Sequence, residues 1–176
     1  MLDDLDDLVR SVRGASSELE HVPADLLHIR LATFGNVSHG DAVKLADTLT
    51  KEAAAWAPLK LRFAGGAALE WPGDDAVWAK LDGDLEHLTE IGTKIPQVVA
   101  RLGYLVDRRK FRSWVPVGQI TPATTPEFLQ ALVDALEAYS GQSWTSHEMC
   151  LLNERWPTSE AEVMRLEVYR RIELKG

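Results

Sequence analysis

The sequence predicts an α+β fold with two similar lobes, and three observations lead to that prediction. Apolar residues alternate with polar ones in several short stretches, which is typical of strands with one buried face. Amphipathic segments with helical spacing lie between these stretches. The order strand, helix, strand, strand occurs twice, on either side of one long helix. We therefore expect a bilobal molecule in which two pseudo-symmetric antiparallel sheets with outer helices surround a central cleft.

Composition and charge exclude several classes of protein. The 176 residues carry a formal net charge of −8 and a single cysteine, Cys150. The negative charge argues against extended binding to a nucleic-acid backbone, which needs clustered Lys and Arg. One cysteine permits neither an internal disulfide nor a cysteine-based metal site. No apolar run reaches membrane-spanning length, and the acidic start of the chain is unlike a signal peptide. We expect a cytoplasmic protein without a membrane partner or cofactor.

The first lobe is predicted at roughly residues 22–82, after an amphipathic helix that ends near Gly14 and a loop that continues to Pro23. Its leading strand is expected at Leu26 to Thr33, where apolar residues alternate with polar ones. Successive side chains of a strand point to opposite faces. This strand would therefore bury its leucines and present His28 and Arg30 together on the other face. Such a histidine is either an ordinary solvated residue or part of a site.

The rest of the first lobe contains one helix and two strands. Asp41 is a candidate cap for the helix, which Pro58 ends. Alternation predicts strands at Leu59 to Phe63 and at Val77 to Leu81, with the turn residues Trp71 to Asp74 between them.

A crossover helix is expected at roughly residues 84–102, where apolar residues recur at helical spacing. Pro96 inside it predicts a kink or a short break, and Gly103 is a natural end. The basic stretch Arg108-Arg109-Lys110 follows, with Arg112 just beyond. This stretch is either a solvated loop or part of a binding site.

The second lobe is predicted at roughly residues 111–175. It begins with a strand at Phe111 to Ile120, and a helix starts at Thr125-Pro126 with a cap followed by proline. Two further strands are expected at Trp144 to Leu152 and at Leu166 to Leu174.

Two stretches resemble the motifs of a known family. They are HIRLATFGNV, which begins at His28, and FRSWVPVGQI, which begins at Phe111. They resemble the two motifs of the two-histidine phosphoesterases, which include bacterial 2'-5' RNA ligases and RNA 2',3'-cyclic phosphodiesterases. Each family motif reads His, any residue, Thr or Ser, then an apolar residue. The C-terminal pattern from Trp144 to Leu174 is also similar. The resemblance covers nearly the whole chain and rests on order and spacing, since neither motif is complete.

The resemblance implies a bilobal α+β fold with one motif from each lobe facing a central cleft. In the family, the two histidines act as general acid and base on a 2',3'-cyclic phosphate or a 2'-5' phosphodiester. Two imidazoles can take and give the required protons near neutral pH, so no metal is needed. Family members also begin with a short strand before the first helix, so we expect this strand to be either lost or upstream of the given start.

Three of the four core motif positions differ from the family pattern. His28 matches the first histidine, but Arg30 stands at the first hydroxyl position. In the second motif, at residues 114–117, Trp114 replaces the histidine and Pro116 replaces the hydroxyl residue. Gln119 replaces an arginine that is common after this motif. An indole can donate but cannot transfer protons. Because a positioned acid or base contributes about a hundred- to ten-thousand-fold, we expect little of the usual activity.

The leading hypothesis is therefore a catalytically impaired relative that binds a nucleotide or an RNA-end phosphate. His28 is its one expected catalytic residue, and Arg30, Arg112, Trp114 and Gln119 are its expected binding residues. Arginine is well suited to phosphate. The ring of Trp114 either stacks on a nucleobase or plugs the cleft. Pro116 within a strand predicts an edge position or a bulge.

Two alternatives stay open. The chain is an active phosphoesterase with altered chemistry if His28 serves as base and Arg30 stabilises the charge that develops on phosphorus. The acid would then be another group, and His39, His87 and His147 are candidates by type. We expect His87 to be exposed and His147, in the middle of a strand, to be packed or hydrogen-bonded. In the third hypothesis the chain is a non-enzymatic interaction protein on a different α+β fold, which uses its acidic first helix and an open sheet edge.

Overall fold

A computed structural model describes residues 2–69, 75–107, 110–158 and 164–176. Its elements confirm the α+β class, although the predicted turn at Trp71 to Asp74 and the basic pair Arg108-Arg109 lie outside the described residues. The helices are α1 (Leu2–Arg13), α2 (His39–Ala53), α3 (Leu85–Arg101) and α4 (Pro126–Ala138), with a short 3-10 helix at Ala24–Leu26. The strands are β1 (Leu19–His21), β2 (Leu59–Leu69), β3 (Ala76–Gly83), β4 (Trp114–Ile120), β5 (Trp144–Ser146), β6 (Glu148–Arg155) and β7 (Arg165–Glu173).

The chain forms two compact units, each assembled from three separate segments. The first unit contains Met1–Ile29, Leu61–Leu85 and Ser113–Trp144, and the second contains Arg30–Lys60, Glu86–Arg112 and Thr145–Gly176. The lobe boundaries expected from the sequence stay a prediction.

An antiparallel sheet forms the centre of the first unit. The strands of the five-stranded sheet follow the order β1-β4-β3-β2-β5. The pairs β1 with β4, β4 with β3 and β3 with β2 are antiparallel. As the alternation predicted, the residues on one face of each long strand are buried. Helices α1 and α4 add apolar residues to the same core. These buried residues are Leu5, Val9, Leu19, Leu61, Phe63, Val77, Ala79, Leu81, Val115, Val117, Leu132 and Leu136.

A β-bulge joins this sheet to α4. The register between β2 and β3 shifts between Phe63 and Gly66, and Gly65 has a φ of 92°. The Glu137 carboxylate at the end of α4 accepts hydrogen bonds from the Gly66 backbone N–H (3.2 Å) and from Lys80 Nζ (3.0 Å). A Cβ on Gly66 would lie 2.6 Å from the Leu136 Cβ, so only glycine allows this close approach.

The second unit packs helices against a two-stranded sheet. Strands β6 and β7 pair antiparallel, and α2 packs against β7. Helix α3 runs through Pro96 without a break, so of the two predicted alternatives the kink stays a prediction. The ring of Phe111 lies against Gly92 in α3. The buried residues of this unit include Leu45, Leu49, Leu88, Ile91, Ile95, Val98, Val99, Met149, Ile172 and Leu174.

The leading strand predicted at Leu26 to Thr33 is not formed. Pro23 precedes the 3-10 helix, and the Leu27 N–H donates to the Ala24 carbonyl (3.3 Å), which closes a tight turn. From Leu27 to Ser38 the chain has no regular structure apart from one isolated bridge between Phe34 and Val106. Leu27 is buried and Arg30 is exposed, but Ile29 and Leu31 are only half-buried, as His28 is, so the two faces that alternation predicted are not separated here.

Three further predictions need correction. Helix α2 is capped by Ser38 and not by Asp41, because the Ser38 Oγ accepts from the Asp41 backbone N–H and also donates to the Asp41 carboxylate. The stretch predicted as one strand from Trp144 to Leu152 is two strands, β5 and β6, separated by His147. The short strand β1 lies in a segment that was expected to be a loop. By contrast, the cap and proline start of α4 are confirmed at Thr125 and Pro126.

Candidate functional site

His28 follows the 3-10 helix and is half-buried. Its Nδ1 lies 2.7 Å from the backbone carbonyl oxygen of Leu26. A carbonyl can only accept, so Nδ1 carries the hydrogen in this contact. The neutral ring then keeps its lone pair on Nε2, which is the form that a general base requires. The Leu26 carbonyl belongs to the 3-10 helix that follows Pro23. This short helix therefore holds the His28 ring in place.

The five predicted site residues are divided between the two units. His28, Trp114 and Gln119 belong to the first unit, whereas Arg30 and Arg112 belong to the second. Arg30 is exposed in the irregular segment after His28, and Arg112 is half-buried just before β4.

Trp114 begins β4 and packs against a second tryptophan. It lies opposite Lys80 in the register of β3 and β4, and Pro116 lies opposite Trp78. The ring centroids of Trp78 and Trp114 are 6.5 Å apart, and the rings are inclined by 56°. Pro116 lies next to the register shift between Val77 and Trp78, and β1 pairs with β4 only from Gly118 onwards. The bulge or edge position predicted for Pro116 is therefore confirmed.

Gln119 is exposed near the end of β4. It lies opposite Glu20 of β1 and Ala76 of β3. A Cβ on the preceding Gly118 would lie 2.5 Å from the Leu19 side chain, so a glycine is required for β1 to pack on β4. Gln119 is thus held on a strand with neighbours on both sides.

Sequence reasoning missed Trp78 as a partner of Trp114. Its Nε1 is buried and has no hydrogen-bond partner among the described residues. A signal for it was present, because Val77, Ala79 and Leu81 form the buried parity of β3. That pattern places Trp78 on the opposite parity of β3.

Two cations on β2 and β3, Arg62 and Lys80, contact carboxylates. Arg62 donates to Asp82 Oδ2 from Nε (2.8 Å) and Nη2 (2.5 Å). The Arg62 guanidinium lowers the pKa of Asp82, with help from the Gly83 backbone N–H. The contact between Lys80 and Glu137 likewise lowers the pKa of Glu137. Both pairs are partly exposed, so each adds little to stability.

The other candidate histidines lie in three different places. His39 is the first residue of α2 and is exposed, with its ring centroid 6.3 Å from that of Tyr169. His87 is exposed on α3, which confirms that prediction. His147 is exposed between β5 and β6, so its predicted position within a strand and its predicted packing are wrong.

The described residues offer neither a metal site nor a helix that crosses a membrane. In this part of the chain, no three or more His, Cys, Asp or Glu side chains are grouped to hold a metal ion. Among the same residues, every helix is too short or too polar to span a bilayer.

The fold resembles several solved structures over nearly the whole chain. Escherichia coli LigT in complex with 3'-AMP has a TM-score of 0.74 at 17% identity, covering 98% of this chain and 92% of that one. TT0787 of Thermus thermophilus has a TM-score of 0.69 at 17% identity, with 99% and 90% coverage. A structure described as a phosphoesterase has a TM-score of 0.70 at 18% identity, with 98% and 92% coverage.

By sequence, no family model and no curated protein matches the chain. The structural similarity extends over both units and includes a protein described as a phosphoesterase. The chain therefore has the fold of LigT and related phosphoesterases, as its resemblance to the two-histidine phosphoesterases predicted.

Proposed function

We propose that this chain is a catalytically impaired two-histidine phosphoesterase that binds a nucleotide or an RNA-end phosphate. The observation that carries the proposal is the LigT fold combined with an indole, Trp114, at the second histidine position. Structures of E. coli LigT hold 3'-AMP, NADP+ and ATP, which supports a nucleotide as the ligand.

The chemistry of the motif positions explains the impairment. Displacement at phosphorus requires one group to take a proton from the attacking oxygen and another to give one to the leaving oxygen. His28 can supply one of these steps, but Trp114 cannot supply the other. Arg30 offers a permanent cation at a hydroxyl position, which favours binding of phosphate over proton transfer.

The first test is a chromatographic assay of 2',3'-cyclic nucleotides with near-stoichiometric protein and long incubation. We expect no product above background from the wild type or from His28→Ala. Calorimetric titration with the same nucleotides should nevertheless detect binding. Arg30→Gln should weaken it about ten- to 160-fold, because a charge-assisted hydrogen bond contributes about 1.5–3 kcal/mol at 25 °C. Arg101→Gln is the matched control, since Arg101 is exposed in the last turn of α3.

A second candidate function is an active phosphoesterase with altered chemistry. The hydrogen bond between His28 Nδ1 and the Leu26 carbonyl favours it, because it leaves Nε2 as the basic nitrogen of the neutral ring. Product from the wild type that disappears in His28→Ala and persists in Arg101→Gln would establish this function and contradict the impairment. A wild type that neither binds nor converts any nucleotide would contradict both candidates and leave a non-enzymatic interaction protein.

A further inference from the structure

Two tryptophans on adjacent strands form a pair in the first unit. Trp78 lies within β3 and Trp114 begins β4, one diagonal step apart in the register. Their rings contact each other at an inclined angle, and each residue is half-buried. Each ring therefore combines packing area with some exposed surface, which is typical of aromatic residues in binding sites.

The indole N–H of Trp78 is a buried donor without an acceptor among the described residues. Its cross-strand neighbours are Pro116 on β4 and Ala67 on β2, and neither carries a polar side chain. Buried donors without an acceptor are rare in native proteins, and each requires an explanation. Since the atom has no solvent exposure, an acceptor reaches it only when a neighbouring side chain turns aside. Trp114 is the adjacent ring and is half-exposed.

The charges near this pair disfavour a phosphate as the source of the acceptor. Arg62 donates two hydrogen bonds to Asp82, and Lys80 lies 3.0 Å from Glu137. A phosphate would have to compete with these carboxylates for both cations. A neutral planar group has no such competitor, and a nucleobase combines a flat face with ring-nitrogen and carbonyl acceptors.

We infer that Trp78 and Trp114 form a nucleobase site. In it the ring of Trp114 stacks on the base, and the indole N–H of Trp78 donates a hydrogen bond to a base acceptor. This inference rests on the proposed function and adds to it that the base, as well as the phosphate, is recognised.

The test compares 2',3'-cyclic AMP with ribose 2,3-cyclic phosphate, which lacks a base, by calorimetric titration. We expect the wild type to bind the nucleotide at least about fivefold more tightly, because stacking on an aromatic ring is substantial for each base. Trp114→Ala should weaken nucleotide binding at least about fivefold. Trp78→Phe keeps a ring and removes the donor, so it should weaken nucleotide binding about two- to tenfold. Neither change should alter binding of the base-free probe.

Trp144→Phe is the matched control, because Trp144 also lies in this unit and pairs with another aromatic ring, that of Phe63. The two-probe comparison on the wild type needs no variant, so a variant that fails to fold does not prevent the test. Equal affinity for both probes, or unchanged nucleotide binding in Trp78→Phe and Trp114→Ala, would overturn the inference and leave the proposed function intact. Tighter binding by Trp114→Ala would identify Trp114 as a plug and also overturn it. If the protein bound neither probe, the proposed function would be overturned as well.

Discussion

At the scale of single residues, Gly92 in α3 leaves room for the Phe111 ring. The helix propensity of glycine alone does not indicate this role. A Cβ at this position would lie 2.5 Å from the Phe111 ring. Replacing glycine by alanine in a helix normally stabilises by about 1 kcal/mol. Here the ring would have to move, and overpacking typically costs about 1–3 kcal/mol. We expect Gly92→Ala to lower the free energy of unfolding in urea titrations.

A matched substitution and a double variant make this prediction specific. Gly40 lies in α2, and a Cβ added to it would meet nothing within 4 Å, so Gly40→Ala should not destabilise the protein. Phe111→Leu should suppress the cost of Gly92→Ala if the clash is its cause. A Gly92→Ala protein as stable as Gly40→Ala would contradict the packing role.

At the scale of elements, the start of α4 depends on a carboxylate from outside the helix. Thr125 caps α4, and Glu18 Oε1 accepts from both the Thr125 hydroxyl (2.5 Å) and its backbone N–H (3.1 Å). Hydrogen bonds from Thr125 and Ser16 lower the pKa of Glu18. Glu18 lies just before β1. This contact therefore joins the cap of α4 to the first strand of the chain.

We expect Glu18→Gln and Thr125→Ala to act as one unit. An N-cap threonine contributes about 1 kcal/mol, and removing either partner should disturb the same cap. The double variant should therefore lose less stability than the sum of the two single variants, in urea unfolding followed by circular dichroism. Glu20→Gln, at an exposed position on β1, is the control. Strict additivity would mean that Glu18 does not support the cap.

At the scale of elements it is also clear which parts of the fold and of the site the sequence could predict. Alternation predicted β3 and β4, and the cap followed by proline predicted α4, because these signals depend on neighbours in the chain. The strand expected at Leu26 to Thr33 failed because a strand also needs a partner, which alternation does not specify. At the site, the motif resemblance drew attention to His28 and Trp114. The contact of Trp78 with Trp114 depends on the register between β3 and β4, which the sequence does not specify.

At the scale of the whole molecule, carboxyls with a lowered pKa are found in both units. Among the described residues, Glu18, Asp82 and Glu137 of the first unit have a lowered pKa, and so does Asp41 of the second unit, which Ser38 holds at the start of α2. A carboxyl whose pKa is lower in the folded state stabilises that state above its unfolded pKa. This stabilisation is lost as the pH falls through the folded value.

We therefore expect acid to loosen the first unit before the second. Hydrogen exchange followed by mass spectrometry, corrected for the intrinsic pH dependence of exchange, should show this between about pH 5 and pH 3. Peptides from β3 and α4 should lose protection at a higher pH than peptides from α2 and α3. Glu18→Gln should narrow the difference, because glutamine does not titrate. Earlier loss of protection in α2 and α3 would contradict the prediction. It would mean that packing, and not these carboxylates, decides which unit opens first.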